Sequence, residues 1–396
     1  MLERRQLLMG MGASIMLAGK AGAETITLPF ANGERPMVRF PGKRPMIGLT
    51  ARPPQLETPF SVFGEGVLTP NDAFFVRYHM SDIPLSIDMD SYRLKVGGHV
   101  DRPLSLSLPE LKRMFKPTEI VAVNQCSGNS RGLFEPRVAG GQLAHGAMGN
   151  ARWTGVPLKA VLERAGLKAG AQQVTFNGLD NPPAPDIADF VKALAVDHAA
   201  DGEVMLAWAM NGQDLPFLNG FPLRLVVPGY FGTYWVKHLN EITVLDKPFD
   251  GYWMKTAYRV PDNDCQCVPV GTKPKSTRPI GKFAVRSFIT SHVDGTRIAR
   301  GKGVAVSGIA FDGGSGIAKV ELSTDGGAHW REATLGEDLG KYSFRPWASS
   351  LDLASGDHVL MARATARSGE TQPMEPSWNP AGYLRNVVET IKVRVS

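Results

Sequence analysis

Ile120-Val-Ala-Val-Asn-Gln-Cys-Ser-Gly-Asn-Ser-Arg131 changes character at its middle. The apolar residues Ile120 to Val123 read as a buried strand, and the polar, glycine-bearing run after them reads as a turn. A lone cysteine, Cys126, thus sits in a loop at the end of a strand. A structural cysteine prefers an apolar interior. One set among turn residues and beside an arginine can be held as thiolate, the form that ligates soft metals. A ligand, a nucleophile and a plain buried thiol all fit the composition, and nucleophilic catalysis would need a His with Asn or Asp gathered around it.

Two further stretches carry charge in apolar surroundings. Phe74-Phe-Val-Arg-Tyr-His79 places Arg77 and His79 two apart, so on a strand both would face one side and suit an anion, unless they are an ordinary surface ion pair and a satisfied histidine. Phe221-Pro-Leu-Arg-Leu-Val-Val-Pro-Gly-Tyr-Phe-Gly-Thr-Tyr-Trp-Val-Lys237 sets Arg224 inside an apolar strand and Lys237 after a glycine-bearing loop. A buried charge must be paired, and a phosphate is the partner this pattern suggests.

Around these clusters, Tyr92 to Val96, Val174 to Phe176 and Leu223 to Val227 read as strands. Leu108 to Met114, Leu158 to Ala165 and Ile187 to Leu194 read as helices, the first opened by a Ser107-Leu-Pro-Glu110 capping box. Strands and helices interleave without a regular βαβ repeat, so residues 71–272 are expected to be an α+β domain. Residues 24–70, rich in Pro and Arg, read as an extended arm over the core, with strands beginning near Phe74. From about 275 the texture changes. Val304 to Phe311, Ala318 to Ser323, the Trp330 region, Tyr342 to Trp347 and Val359 to Ala366 are short strand candidates, with Asp312-Gly-Gly and Asp325-Gly-Gly as turns, which predicts an Ig-like β-sandwich over 273–396. Lys273 to Pro279 reads as the linker.

Residues 1–23 combine Arg4-Arg5, an apolar stretch Leu7 to Ala18 and Ala21-Gly-Ala23, the pattern of a cleaved export signal resembling the twin-arginine type. Export to a periplasm is the expectation, and no other long apolar run predicts a membrane span in the mature chain. The net charge of the 396 residues is +6. The leader holds three cations against one acid, so its removal leaves +4, too weak a bias to argue for nucleic acid. Three cysteines exclude a disulfide framework. Cys265 and Cys267 are expected to be inert thiols, since their mutual disulfide would close a very small ring.

Taken together the clusters resemble the sulfite oxidase family of molybdenum enzymes over about 50–396. The motifs that carry the likeness occur in the family's order: Phe-Phe-Val-Arg-x-His, Gln-Cys-x-Gly-Asn-x-Arg, Ala151-Arg-Trp-x-Gly155, Met210-Asn-Gly-x-x-Leu-Pro216, Gly220-Phe-Pro-x-Arg-x-Val-Val-Pro-Gly229 and Val236-Lys237. The resemblance implies a sulfite-oxidase-type molybdopterin-binding domain followed by an Ig-like, dimerisation-type domain. Cys126 matches the molybdenum ligand, a soft sulfur donor suited to a metal with sulfur co-ligands. Phe75, Arg77, Asp180, Asn219, Arg224, Trp235, Val236 and Lys237 match the residues that hold molybdopterin. Arg77, Arg131, His79 and Tyr258 match groups around the substrate, with Gln55 and Arg385 as further pocket residues; Tyr252 is the alternative to Tyr258. Trp208, Trp235, Trp253 and the Phe74-Phe75 pair read as core aromatics rather than electron relays.

The departures also carry expectations. Asn219 stands where many members have a histidine, which weakens or replaces a pterin contact. Trp378-Asn-Pro-Ala381 lacks an arginine of the animal enzymes, which Arg385 would supply. Neither a cytochrome b5 region nor a Cys-x-x-Cys-His haem site is present, so the implied activity is oxidation of sulfite to sulfate with electrons leaving to an external c-type cytochrome. A homodimer through the C-terminal domain is the family habit. Nitrate or sulfoxide reduction on the same scaffold is the nearest alternative, and a non-catalytic exported binding module a distant one.

Overall fold

The computed structural model describes residues 24–300 and 303–396, so the leader expected over residues 1–23 lies outside the described residues. The predicted arm is a four-stranded antiparallel sheet, Thr25–Thr27, Glu34–Val38, Met46–Ala51 and Pro54–Glu57, hydrogen-bonded in sequence order. It lies on the core through Met46, Leu56, Val76 and Tyr78. Phe74 does not begin a strand. The segment from Phe74 to His79 is irregular, tied to the arm by a single bridge between Leu56 and Val76.

Two five-membered sheets form the α+β domain. In one, Lys192–Ala195, Gln173–Gly178, Leu239–Leu245, Leu94–Gly98 and Leu104–Leu106 lie side by side, with the Leu239–Leu245 and Leu94–Gly98 pair parallel. In the other, Gln213–Asp214, Met205–Met210, Met148–Pro157 and Thr118–Gln125 run in that order, and Arg224–Val226 adds to Met205–Met210. Leu108–Met114 is a helix whose Ser107 and Glu110 close the predicted capping box, and Leu158–Ala165 is a second helix packing Leu158, Val161 and Leu162 inward. The helix expected over Ile187 to Leu194 does not form. Lys192–Ala195 is instead a strand whose residues pair with Gln173–Phe176. In so short a run, the free edge of a neighbouring strand outweighs local helical preference.

Residues 285–396 form the predicted sandwich. Arg286–Ile289, Val304–Phe311, Arg345–Leu351 and Thr334–Leu335 make one sheet; Thr296–Ile298, Thr390–Val395, Gly356–Ala366, Ile317–Ser323 and Arg331–Glu332 make the other. Between them lie Val306, Val320, Leu322, Trp347, Leu360 and Ala364. The Asp325-Gly-Gly turn is built as a hairpin between Ile317–Ser323 and Arg331–Glu332, with Gly326 and Gly327 at φ of 72° and 95° and Asp325 accepting from the backbone N–H of His329, whereas Asp312-Gly-Gly is not a hairpin turn but carries the chain from one sheet to the other. The linker is partly structured, since Thr277–Pro279 pairs with Arg259–Pro261. Cys265 and Cys267 are disulfide-bonded, against expectation: Gln266 between them takes a φ of 49°, which folds the chain back and brings the two Cα atoms to 5.1 Å, within ordinary disulfide reach.

The sandwich is docked on the first domain. Tyr342 and Phe344 belong to the first domain's core, Val123 N–H donates to the Tyr342 carbonyl, and Asn150 donates to Ser343 Oγ.

Candidate active site

A narrow cleft opens where loops of the first domain converge. Cys126 forms part of its wall. The ladder between Thr118–Gln125 and Met148–Pro157 runs one step further, with Cys126 N–H donating to the Ala147 carbonyl, and then the chain turns. That turn is closed by Asn129 N–H on the Cys126 carbonyl and Arg131 N–H on the Gly128 carbonyl, with Ser130 left-handed at φ 68°. The thiol is free and 9% exposed, held on a rigid corner.

Facing it are Phe75, Arg77, Tyr78 and His79 from the irregular segment. Both Arg77 and His79 reach the cleft, as the sequence suggested, but through a bent chain rather than a strand. The His79 ring stacks on Phe190 with centroids 3.6 Å apart, and its Nε2 lies 2.5 Å from the Tyr258 hydroxyl. Burial, with the positive charges of Arg77, Lys192 and Lys237, drives the His79 pKa well below its usual value, so the imidazole is neutral. Burial likewise raises the Tyr258 phenol, so it is protonated. Tyr258 lines the cleft at a φ of 57° and stacks on Tyr383; Tyr252 is 49% exposed and does not line it.

The other end of the cleft is cationic. Arg224 is buried with its guanidinium between Trp153 and Trp235, donating through Nη1 to the Asn219 carbonyl, and burial lowers its pKa to about 9. Lys237 donates to the Leu218 carbonyl over the Tyr78 ring, and its pKa falls well below the ordinary lysine value through burial and the charge of Arg224. Lys43, from the arm, is lowered to about 7 by burial. Asp180 is the acid on the cleft wall, and burial raises it to about 6 against the pull of Lys237.

Several expected site residues stand elsewhere. Asn219 lines the cleft, but its carboxamide is spent: Lys43 Nζ donates to its oxygen at 2.7 Å and its nitrogen donates to the Phe75 carbonyl. It braces the wall rather than replacing a ring donor. Arg131 lies one layer back, its guanidinium 4.9 Å over the Tyr383 ring and its Nε donating to the Ala381 carbonyl. Gly140 is what makes room for it, since a Cβ there would meet Arg131 Nη1 at 2.7 Å. Gln55 is off the cleft wall, on the strand Pro54–Glu57. Arg385 does not replace the missing arginine. Its guanidinium is committed to Glu389, at 3.1 and 3.2 Å, and to the Leu133 carbonyl. Trp235 and Val236 line the cleft as expected.

Sequence reasoning missed Lys43, Lys192, Phe190 and Tyr383. Only Lys192 left a signal, as a charge inside the apolar run Phe190-Val-Lys-Ala-Leu-Ala195.

The wall fits a large anionic group. Arg77 Nη1, Arg224 Nε, Asn124 Oδ1, Ser127 Oγ and Thr233 Oγ1 are buried at the cleft without a hydrogen-bond partner. Such a concentration of unmet donors and acceptors marks a polar guest. Gly232 keeps the floor open, since a Cβ there would come within 2.5 Å of Asn124 Oδ1. Among the described residues no group of three or more His, Cys, Asp or Glu could hold a metal ion. A metal at Cys126 must therefore bring its other ligands with it, and a pterin dithiolene does that.

Comparison with known proteins agrees with this geometry. Residues 79–253 match the oxidoreductase molybdopterin-binding domain and residues 277–396 the Mo-co oxidoreductase dimerisation domain. The chain is 35% identical to the sulfite oxidase of Gallus gallus, over 89% of this chain and 79% of that one. It is 30% identical to the sulfite oxidase of Arabidopsis thaliana, over 93% and 99%. The sulfane dehydrogenase SoxCD of Paracoccus pantotrophus superposes with a TM-score of 0.74 at 25% identity, over 97% of this chain and 91% of that one. The Cys126 corner, the cationic wall and these similarities lead to one conclusion: the chain belongs to the sulfite oxidase family of molybdenum oxidoreductases.

Proposed function

We propose that the protein is a sulfite dehydrogenase, converting sulfite and water to sulfate, two protons and two electrons, and passing the electrons singly to an external c-type cytochrome. The observation that carries the reading is the cleft's charge. Arg77, Arg224 and Lys237 face it and Asp180 is the acid on its wall, an arrangement suited to an anionic cofactor at one end and an oxyanion at the other. When bound, the molybdenum cofactor supplies the two-electron couple and the oxygen transfer. Arg224, Lys237 and Asp180 would hold its pterin and phosphate, and Cys126 its metal.

The chain's own residues do the rest. Arg77, with Nη1 free and buried, binds the substrate oxyanion. Neutral His79 and protonated Tyr258 share one hydrogen bond, so one donor of the pair is spent on the other and the free position can take a substrate oxygen or carry a product proton. Phe75, Phe190 and Tyr258 give the cleft the apolar part of its lining.

The leader pattern supports a periplasmic location by the twin-arginine route. The dimerisation-type segment supports a homodimer. No helix among the described residues is long and apolar enough to cross a membrane. A second reading, oxidation of sulfane sulfur, is favoured by the full-length likeness to SoxCD. The test is anaerobic mixing of molybdenum-quantified protein with sulfite and oxidised cytochrome c or ferricyanide. Acceptor reduction that scales with molybdenum supports the proposal. Full loading without reduction overturns it, and reduction by thiosulfate instead would install the second reading.

A further inference from the structure

Lys192 is fully buried in the strand Lys192–Ala195, and its Nζ makes one hydrogen bond, to the Trp253 carbonyl at 2.6 Å. Its other close neighbours are aromatic faces, Tyr234 at 4.6 Å and Tyr258 at 5.4 Å. Among the described residues no carboxylate acts on its charge, and Arg259 acts on it as a like charge. An ammonium taken out of water without a counter-ion costs stability, so a chain that carries one gains from it only when an opposite charge arrives from outside. Tyr258 stands between Lys192 and the cleft, with its hydroxyl on His79 and its ring toward the ammonium.

We propose that Lys192 is a positioning residue that sets the oxyanion affinity of the cleft from behind Tyr258. The inference rests on the cleft being the substrate site of the proposed reaction. It also has a pH signature. Burial, reinforced by Arg259, lowers the Lys192 pKa from 10.5 to about 7, so its charge is lost as pH rises through neutrality. The other groups facing it whose protonation is set by burial do not change there: His79 stays neutral, and Tyr234 and Tyr258 stay protonated. An anion in the cleft favours the charged lysine. Binding above neutrality therefore takes up a proton, and affinity falls as pH rises.

The probe is sulfate, which keeps its charge across this range, whereas sulfite gains a proton within it. Molybdenum-loaded wild type, Lys192→Met and Lys192→Arg are titrated with sulfate by calorimetry, at about pH 6 and about pH 9, in two buffers of different ionisation enthalpy. Lys192→Met should bind about tenfold more weakly than wild type at the lower pH, match it at the higher, and take up less of a proton, what remains belonging to Lys43, which burial also lowers to about 7. Lys192→Arg should bind tightly at both. Lys192→Met should also melt no lower than wild type, because methionine fills the space without a buried charge. Equal affinity at the lower pH, an equal loss at both values, or a lowered melting temperature would each overturn the proposal, as would no sulfate binding by wild type. Sulfate binding needs no turnover, so failure of sulfite oxidation and failure of this inference are read separately.

Discussion

Replacing Glu389 by Gln tests how the C-terminal domain holds the Cys126 corner. Arg286, buried in the strand Arg286–Ile289, donates through Nη2 to Glu389 at 3.0 Å and to Ser130 Oγ at 2.9 Å. Ser130 Oγ lies 2.8 Å from His145 Nδ1. Burial lowers His145 to about 4, so at neutral pH the serine donates to a neutral ring. Burial alone would raise Glu389, but His145, once protonated in acid, together with Arg286 and Arg385 outweighs it and holds the carboxyl at about 2 against 4.5. That difference sets an upper bound of about 3 kcal/mol on the native-state stabilisation, since His145 carries no charge at neutral pH. It agrees with the roughly 3–5 kcal/mol lost when a buried ion pair loses one partner, here leaving two guanidiniums without their anion. The sign follows from the direction. Glu389 is held below its unfolded value, so its contribution is complete above about pH 4.5 and is lost as pH falls toward 2. Glu389→Gln should therefore cost up to about 3 kcal/mol in chemical denaturation at pH 7, and the gap to wild type should close as the pH is lowered through that window. A loss below about 1 kcal/mol, or a gap that stays constant into acid, would refute the reasoning.

Three substitutions test the site itself. Arg224→Met removes a fully buried charge, so cofactor-free protein should gain about 2 kcal/mol while molybdenum retention falls about tenfold or more, read by metal analysis beside a melting curve. Cys126→Ser should leave the fold and melting temperature nearly unchanged and abolish acceptor reduction; turnover near the wild-type rate would remove Cys126 from the centre. Arg77→Gln should raise the KM for sulfite by about tenfold to a hundredfold with a smaller change in kcat, and an unchanged KM would place oxyanion binding elsewhere.

What could be read from the sequence was local. The strand-to-turn change at Ile120–Arg131 located Cys126, the Asp-Gly-Gly turns marked the sandwich, and arginine inside the apolar run Leu223–Val227 announced a buried cation. What could not be read depends on chain segments far apart. Lys43 reaches the site from the arm, 176 residues before the Asn219 it braces. Arg385 looked like a pocket residue because only its spacing was visible; its partner Glu389, four residues on, draws it into an interdomain ion cluster. Lys192 was placed on a helix because the edge strand that recruits it, Gln173–Gly178, is defined by pairing and not by the run itself.

The two domains are coupled at the chemistry and not only at their seam. Three C-terminal groups hold the turn that begins at Cys126: Arg286 donates to Ser130, the Ala381 carbonyl accepts from Arg131, and Arg385 donates to the Leu133 carbonyl. A fourth, Tyr383, lies parallel to Tyr258 with ring centroids 5.7 Å apart, and Arg131 caps its face. A thiol in the metal-holding role proposed for Cys126 would tolerate little movement, since misplacement of even about 1 Å at a catalytic group costs on the order of a hundredfold in rate. The first domain supplies the ladder that ends at Cys126, but the far side of the turn and the back of Tyr258 are finished by residues beyond 285. The sandwich is therefore part of the active-site scaffold, whatever it also does between subunits, and substitutions on its inner edge should reach kcat before they reach the fold.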